Sequence, residues 1–107
     1  MVVEGTIIRL PHGLEVWAVV QPDQNPSYHP QVSVRVGVGG LWRAVCNFGT
    51  RAVGSGQSYT LLIVSATKSA DQEFRRYLAG ASATGYRGMD SLPAGSQELN
   101  EIRVRRS

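Results

Sequence analysis

The chain has a single cysteine, Cys46, among its 107 residues. One cysteine excludes an internal disulfide and cannot by itself form a zinc site of the paired Cys or Cys/His type. The two histidines, His12 and His29, lie beside prolines in turn sequences, and neither has the spacing of a metal-binding pair. We therefore predict no metal site, no cofactor and a fold that depends on its apolar core.

Long apolar runs are also missing, and the first residues predict no secretion leader. No apolar run, residues 61–64 among them, approaches the roughly 20 residues that cross a bilayer. Glu4 interrupts the apolar start of the chain, and no basic leader or small-residue cleavage site is present. These features predict a cytoplasmic location and no membrane partner.

Charge is sparse and comes mostly from arginine. Charged residues make up 18% of the chain, the formal net charge is +3, and ten of the eleven basic residues are arginine. The guanidinium group can bind phosphate or carboxylate in bidentate fashion. However, the arginines are scattered singly until the C-terminal Arg103, Arg105 and Arg106, whereas nucleic-acid binding needs a continuous basic face with stacking aromatics. The sequence therefore argues against a nucleic-acid partner.

Catalytic patterns are absent as well. Cys46 alternates with Trp42, Ala44 and Phe48 along a predicted strand, and such apolar surroundings leave a thiol unreactive. The glycines at 37–40 lack the third glycine and the following helix of a dinucleotide-binding turn. The acidic residues supply no carboxylate pair for glycoside hydrolysis. We assign no catalytic residue and predict a non-enzymatic protein, with a small hydrolase as a weaker alternative.

The residues that are abundant favour a β-rich domain. A chain of this length, 42% hydrophobic, predicts a single domain over residues 1–107, and twelve glycines with five prolines provide turns. Alternating or continuous apolar patterns predict strands at 2–10, 14–21, 31–38, 41–48, 59–67 and 99–105. The strand at 59–67 is apolar at nearly every position, which predicts burial on both faces at the centre of a sheet.

The stretch 28–49 carries the clearest strand pattern. Valine occupies every second position of residues 32–38, and Gly39-Gly40 can form a tight turn. Trp42 and Cys46 then fall on one face of the following strand. This pattern predicts the main hairpin of the fold.

The apolar period changes from two to nearly four after residue 67. Ser69 and Gln72 match a capping box, Asp71 and Arg75 are spaced for an ion pair, and Gly80 is a helix stop. The predicted apolar stripe comprises Ala70, Phe74, Tyr77, Leu78 and Ala81. Together these patterns predict an antiparallel β-sandwich of about six to seven strands, with one α-helix inserted before the last strand.

The candidate contact residues lie mainly in two loops, 22–31 and 82–96. Tyr28 and His29 lie in the first loop, and Tyr86 and Arg87 in the second. Trp17 shares its strand face with Val19, so that face is either exposed or partly covered. Flat rings can stack on sugars or hold side chains of a protein partner. The alternative, in which the aromatics belong to the core or pin the loops, stays open.

The order of several motifs resembles a known type of module. The motifs are EVWAVV at 15–20, YHPQ at 28–31, GLW at 40–42, YRGM at 86–89 and LPAG at 92–95. Their order is similar to that of a small immunoglobulin-like β-sandwich accessory module of bacterial multidomain proteins, including signalling and defence-type effectors. The resemblance implies an immunoglobulin-like fold and a non-enzymatic role. We expect an accessory binding module with a protein partner, and a carbohydrate-binding module that uses exposed aromatics is the alternative.

Overall fold

The computed structural model describes residues 2–7, 13–22, 27–45, 58–81 and 88–105. These residues form six strands and one helix, in this order: β1 (Val2–Thr6), β2 (Glu15–Pro22), β3 (His29–Val34), β4 (Leu41–Val45), β5 (Ser58–Ala66), α1 (Lys68–Gly80) and β6 (Ser96–Arg105). The prediction of a mainly β chain with a helix before the last strand is confirmed.

The strands form two antiparallel sheets. One sheet has four strands in the order β3-β2-β5-β6, and the other pairs β1 with β4. β5 therefore lies between β2 and β6, which confirms the central position predicted for it, and β6 lies at an edge. Two sheets facing each other are compatible with a β-sandwich.

A first core fills the space between the two sheets. Trp42 and Ala44 of β4 point inward, and Trp42 is only 3% exposed. They meet the inward residues of β2, β3 and β5, together with Ile7. The buried residues of this core are Ile7, Val16, Ala18, Val20, Val34, Trp42, Ala44, Tyr59, Leu61 and Ile63. Burial of this apolar surface holds the small sheet on the large one.

A second core lies on the opposite face of the four-stranded sheet, under α1. Ala70 and Phe74 of the helix pack on Trp17, Val19, Leu62, Val64 and Ala66. The rings of Trp17 and Phe74 are 5.1 Å apart between centroids, with an interplanar angle of 34°. β2 and β5 are thus covered on both faces. This arrangement explains why their sequences are apolar almost throughout.

The predicted hairpin over 28–49 is wrong. β3 pairs with β2, β4 pairs with β1, and the stretch between them contributes only an isolated bridge between Val36 and Trp42. Gly39 and Gly40 have φ of 75° and 78°, values that favour glycine, and they lie in a short 3₁₀ turn, Val38–Gly40. The chain does fold back at this turn, but the pairing stops at the one bridge, and the two flanking strands belong to different sheets. Val38, predicted to face the core, is 96% exposed.

The start of α1 also differs from the prediction. The helix begins at Lys68, and the cap is Thr67, whose Oγ1 accepts a hydrogen bond from the Ala70 backbone N at 3.3 Å. The capping box assigned to Ser69 and Gln72 is therefore wrong. The last helical residue is Gly80, where the helix was predicted to stop, but the C-cap is Ala81 and Gly80 does not have the positive φ of a glycine cap. No helix within the described segments is long and apolar enough to span a membrane.

Candidate functional site

Trp17 does not lie on the surface. It is 1% exposed, and its Nε1 donates a hydrogen bond to Asp71 Oδ1 at 2.8 Å. Because α1 covers this face of β2, the indole is part of the second core. The expectation of Trp17 as a partner contact is therefore corrected: its ring offers no stacking surface.

Tyr28 and His29 are half-buried at the edge of the four-stranded sheet. The Tyr28 backbone exchanges two hydrogen bonds with Met89, of 2.8 and 2.7 Å, and the Tyr28 side chain packs against the second core. Gly88 lies so close to the His29 imidazole that a side chain at position 88 would collide with it. The structure thus brings together the described parts of the two predicted contact loops. Tyr86 and Arg87, like Cys46 and His12, lie outside the described residues.

An exposed aromatic platform is missing from the part of the chain that the structure describes. Trp42, Tyr59 and Phe74 are buried along with Trp17, whereas Tyr28 and Tyr77 are half-buried. The same residues contain no group of three or more His, Cys, Asp or Glu side chains placed to hold a metal ion. These segments thus offer neither a sugar-stacking surface of several rings nor a metal centre.

The outer face of the two-stranded sheet carries the most distinctive exposed surface. Alternation along β1 and β4 turns three residues of each strand away from the core, paired as Val2 with Val45, Glu4 with Arg43 and Thr6 with Leu41. Val2, Leu41 and Val45 are 46%, 61% and 66% exposed. We call these six residues the outer face. The predictions from the sequence included only the inward residues of β4 and not this surface, although the same alternation indicates the outward residues.

The charges of the outer face form a row across neighbouring strands. Arg43 Nε lies 3.5 Å from Glu4 Oε1, in an ion pair exposed to solvent. The bridge between Val36 and Trp42 places Arg35 opposite Arg43, on the side that faces away from the core. Within the described ranges, Arg35 makes no ion pair with a carboxylate. The row Glu4–Arg43–Arg35 therefore contains two cations and one anion.

A shallow depression of about 680 Å³ lies along this row. Its lining combines the charged row with small and apolar residues: Glu4, Gly5, Thr6, Arg35, Gly37, Leu41, Trp42 and Arg43. Gly37 contributes no side chain to the depression, and Gly5 lies at an inward position of β1, where an added Cβ would meet the Trp42 ring. The Gly37 backbone N donates to Leu41 O at 2.7 Å, so this part of the surface is held by the backbone.

Trp42 lies beneath the depression and belongs to the first core. Gly5 packs directly on its ring, because a Cβ at Gly5 would lie 2.6 Å from the indole Cζ2 and 2.8 Å from Nε1. The indole Nε1 is buried and has no hydrogen-bond partner among the residues that are described. The depression is therefore supported from below by a large, closely packed side chain.

Comparison with known proteins identifies no relative. No protein-family model matches the sequence, and no curated protein or solved structure is significantly similar to it. Functional inference for this chain thus depends on its own residues and geometry.

Proposed function

We propose that this chain is a non-enzymatic interaction module that binds another protein through the outer face of its two-stranded sheet. The observation that carries the proposal is the grouping of exposed apolar residues. Val2 and Val45 form a pair at one end of the outer face, Leu41 lies at the other end beyond the Glu4–Arg43 pair, and Val38 protrudes from the turn that leads into β4. Single exposed apolar residues are common, whereas several on one face, together with charged residues, are typical of a protein-binding surface.

The arrangement of charges supports a protein as the partner. Arg43, Glu4 and Arg35 lie among the apolar residues, so the surface combines apolar area with polar groups that can fix the orientation of a partner. A sugar would require exposed rings, and the described residues provide none on this face. The protein-binding interpretation therefore has more support than the carbohydrate alternative.

A second contact region in this proposal comprises Tyr28 and His29, together with Tyr86 and Arg87, which the sequence predicts as contact residues. The backbone bridge between Tyr28 and Met89 supports it, because this bridge joins the two loops that carry these residues. Trp17 is not part of either region.

The proposal also includes the wider setting that the motif order implies. We assign the chain as an immunoglobulin-like accessory domain of a bacterial protein, acting in the cytoplasm. The support is the order of the short motifs and the packing of two antiparallel sheets around an apolar core.

The test is crosslinked capture from the source cells with the wild-type chain and a Leu41→Lys/Val45→Lys double variant. We expect the double variant to lose the captured partner, because two charges would enter the apolar contact. Leu78→Lys is the matched control, since Leu78 is an exposed leucine on α1, away from the outer face. Thermal unfolding establishes that the variants are folded. Equal capture by the wild type and the double variant would contradict the proposal.

A further inference from the structure

We infer that Arg35 and Arg43 form a binding site for a carboxylate side chain of the protein partner, seated in the depression beside Leu41. This inference rests on the proposed function, because it takes the partner to be a protein. It adds the chemistry of the contact: an acidic residue next to an apolar one in the segment that covers the outer face.

The charge row leaves one cation uncompensated. Arg35 and Arg43 are cross-strand neighbours, and like charges at such positions repel each other. Glu4 lies 3.5 Å from Arg43 and offsets the charge of that residue alone. A carboxylate between the two guanidinium groups would remove the repulsion and complete an alternating row of charges. The free chain therefore presents electrostatic complementarity for a single negative charge.

The depression can accept a carboxylate side chain together with its neighbours in a partner segment. It is shallow and about 680 Å³ in volume, and both Arg35 and Leu41 line it. Guanidinium groups bind carboxylates through two parallel hydrogen bonds, which fixes orientation as well as charge. An apolar residue beside the bound carboxylate would then cover Leu41, which is 61% exposed in the free chain.

Glu4 favours a carboxylate over a phosphate at this site. It lines the same depression, and it would repel a phosphate group, which carries between one and two negative charges, more strongly than a singly charged carboxylate. A backbone phosphodiester of a nucleic acid carries one negative charge, as a carboxylate does, and is disfavoured on another ground: the arginines are mostly scattered singly along the sequence, whereas nucleic-acid binding needs a continuous basic face. An acidic segment of a protein is thus the occupant to which we commit.

The test measures fluorescence anisotropy of three labelled octapeptides that alternate valine with glutamate, glutamine or lysine. We expect the glutamate peptide to bind the wild-type chain, and to bind more weakly as salt is added. We expect Arg35→Gln to weaken that binding about tenfold, the effect of losing one charge-assisted hydrogen-bonded contact. Arg76→Gln is the control, because Arg76 is an exposed arginine on α1, and this change should leave the affinity unaltered.

Three results would overturn the inference. They are no binding of the glutamate peptide to the wild-type chain, equal binding of the glutamine or lysine peptide, and equal affinity of the Arg35→Gln and Arg76→Gln variants. Crosslinked capture separates this failure from failure of the proposed function. If the Leu41→Lys/Val45→Lys variant loses the captured partner and Arg35→Gln retains it, the carboxylate site is contradicted and the protein-binding outer face is still supported. If both variants still capture the partner, the proposal that the outer face binds a protein is contradicted.

Discussion

The Trp17 Nε1 hydrogen bond to Asp71 Oδ1, 2.8 Å long, joins the central strand β2 to the first turns of α1. Arg75 Nε binds the other oxygen of the same carboxylate at 2.9 Å, and its guanidinium carbon lies 5.6 Å from the Trp17 ring centroid. One carboxylate thus satisfies a buried indole N–H and positions a cation over the same indole. The helix is fixed on the sheet by these contacts and by the packing of Phe74.

Asp71→Ala is expected to destabilise the fold by about 2 kcal/mol, because the buried Trp17 N–H would lose a charged acceptor. The measurement is chemical denaturation followed by tryptophan fluorescence. Glu73→Ala, on the same helix but with an exposed carboxylate, is the control and should change the free energy of unfolding much less. A similar loss in both variants would show that the hydrogen bond contributes little.

The stability contributed by Asp71 should depend on pH. Burial raises the pKa of Asp71, but hydrogen bonds from Arg75 and Trp17 and the charge of Arg75 outweigh it, so the pKa is lowered overall. Because the pKa of Asp71 is lower in the folded chain than in the unfolded one, its ionisation stabilises the fold. This stabilisation is present at pH values above the unfolded pKa of about 3.9, and it is lost as the pH falls through the folded-state pKa. We expect Asp71→Asn to be less stable than the wild type at pH 7. This difference should shrink at pH 2, as measured by denaturation at both pH values.

Ionisation of Glu98 should destabilise the fold, whereas ionisation of Asp71 stabilises it. Burial raises its pKa, and the charge of Glu101 and a hydrogen bond to Glu101 raise it further. The protonated Glu98 is favoured in the folded chain. The stability that this contributes is present at pH values below the unfolded pKa of about 4.3, and it is lost as the pH rises through the folded-state pKa. Glu98→Gln should therefore stabilise the fold at pH 7, by only about 0.3 kcal/mol because the site is exposed.

The gain from Glu98→Gln should disappear at pH 3, where the wild-type carboxyl is largely protonated. Glu73→Gln removes an exposed carboxylate from α1 and serves as the control at both pH values. A Glu98→Gln variant that is less stable than the wild type at pH 7 would contradict the prediction.

Gly5→Ala and Gly80→Ala should change stability in opposite directions. A methyl group at Gly5 would lie 2.6 Å from Trp42 Cζ2, so we expect a loss of about 1–3 kcal/mol from overpacking. Gly80 has nothing within 4 Å of an added Cβ and lies at the end of α1, so alanine there should stabilise by up to about 1 kcal/mol. Thermal unfolding of both variants tests the pair. An unchanged melting temperature for Gly5→Ala would show that the Trp42 ring can move aside.

Patterns within single elements predicted much of the fold. The continuous apolar sequence of β5 correctly placed this strand at the centre of a sheet, because only a strand covered on both faces needs such a sequence. The helix, its end at Gly80 and the pairing of Asp71 with Arg75 followed from helical spacing. The inward orientation of Trp42 followed from alternation along β4.

Pairing between elements was not predictable from local signals. Gly39-Gly40 has the composition of a hairpin turn, but β4 pairs with β1 and β3 pairs with β2, a choice that depends on strands far away in the sequence. Thr67 and Ser69 are both acceptable caps, and the position of the β5 end decides between them. Alternation along β4 indicates which of its residues face outward, but the pairing of Val2 with Val45 on the outer face arises only from the β1–β4 register.

The pairing of β1 with β4 has a consequence for the order in which the structure opens. Their backbone hydrogen bonds join distant parts of the chain, and among the described residues the only backbone ladder contact from β4 toward β3 is the Val36–Trp42 bridge. β1 pairs with β4 on one side only, whereas β5 is paired with β2 and β6 on both sides, so the backbone bonds of β1 are the easier to open. We therefore expect amide hydrogens of β1 to exchange with solvent sooner than those of β5. A partner held across both strands of the small sheet would slow that exchange.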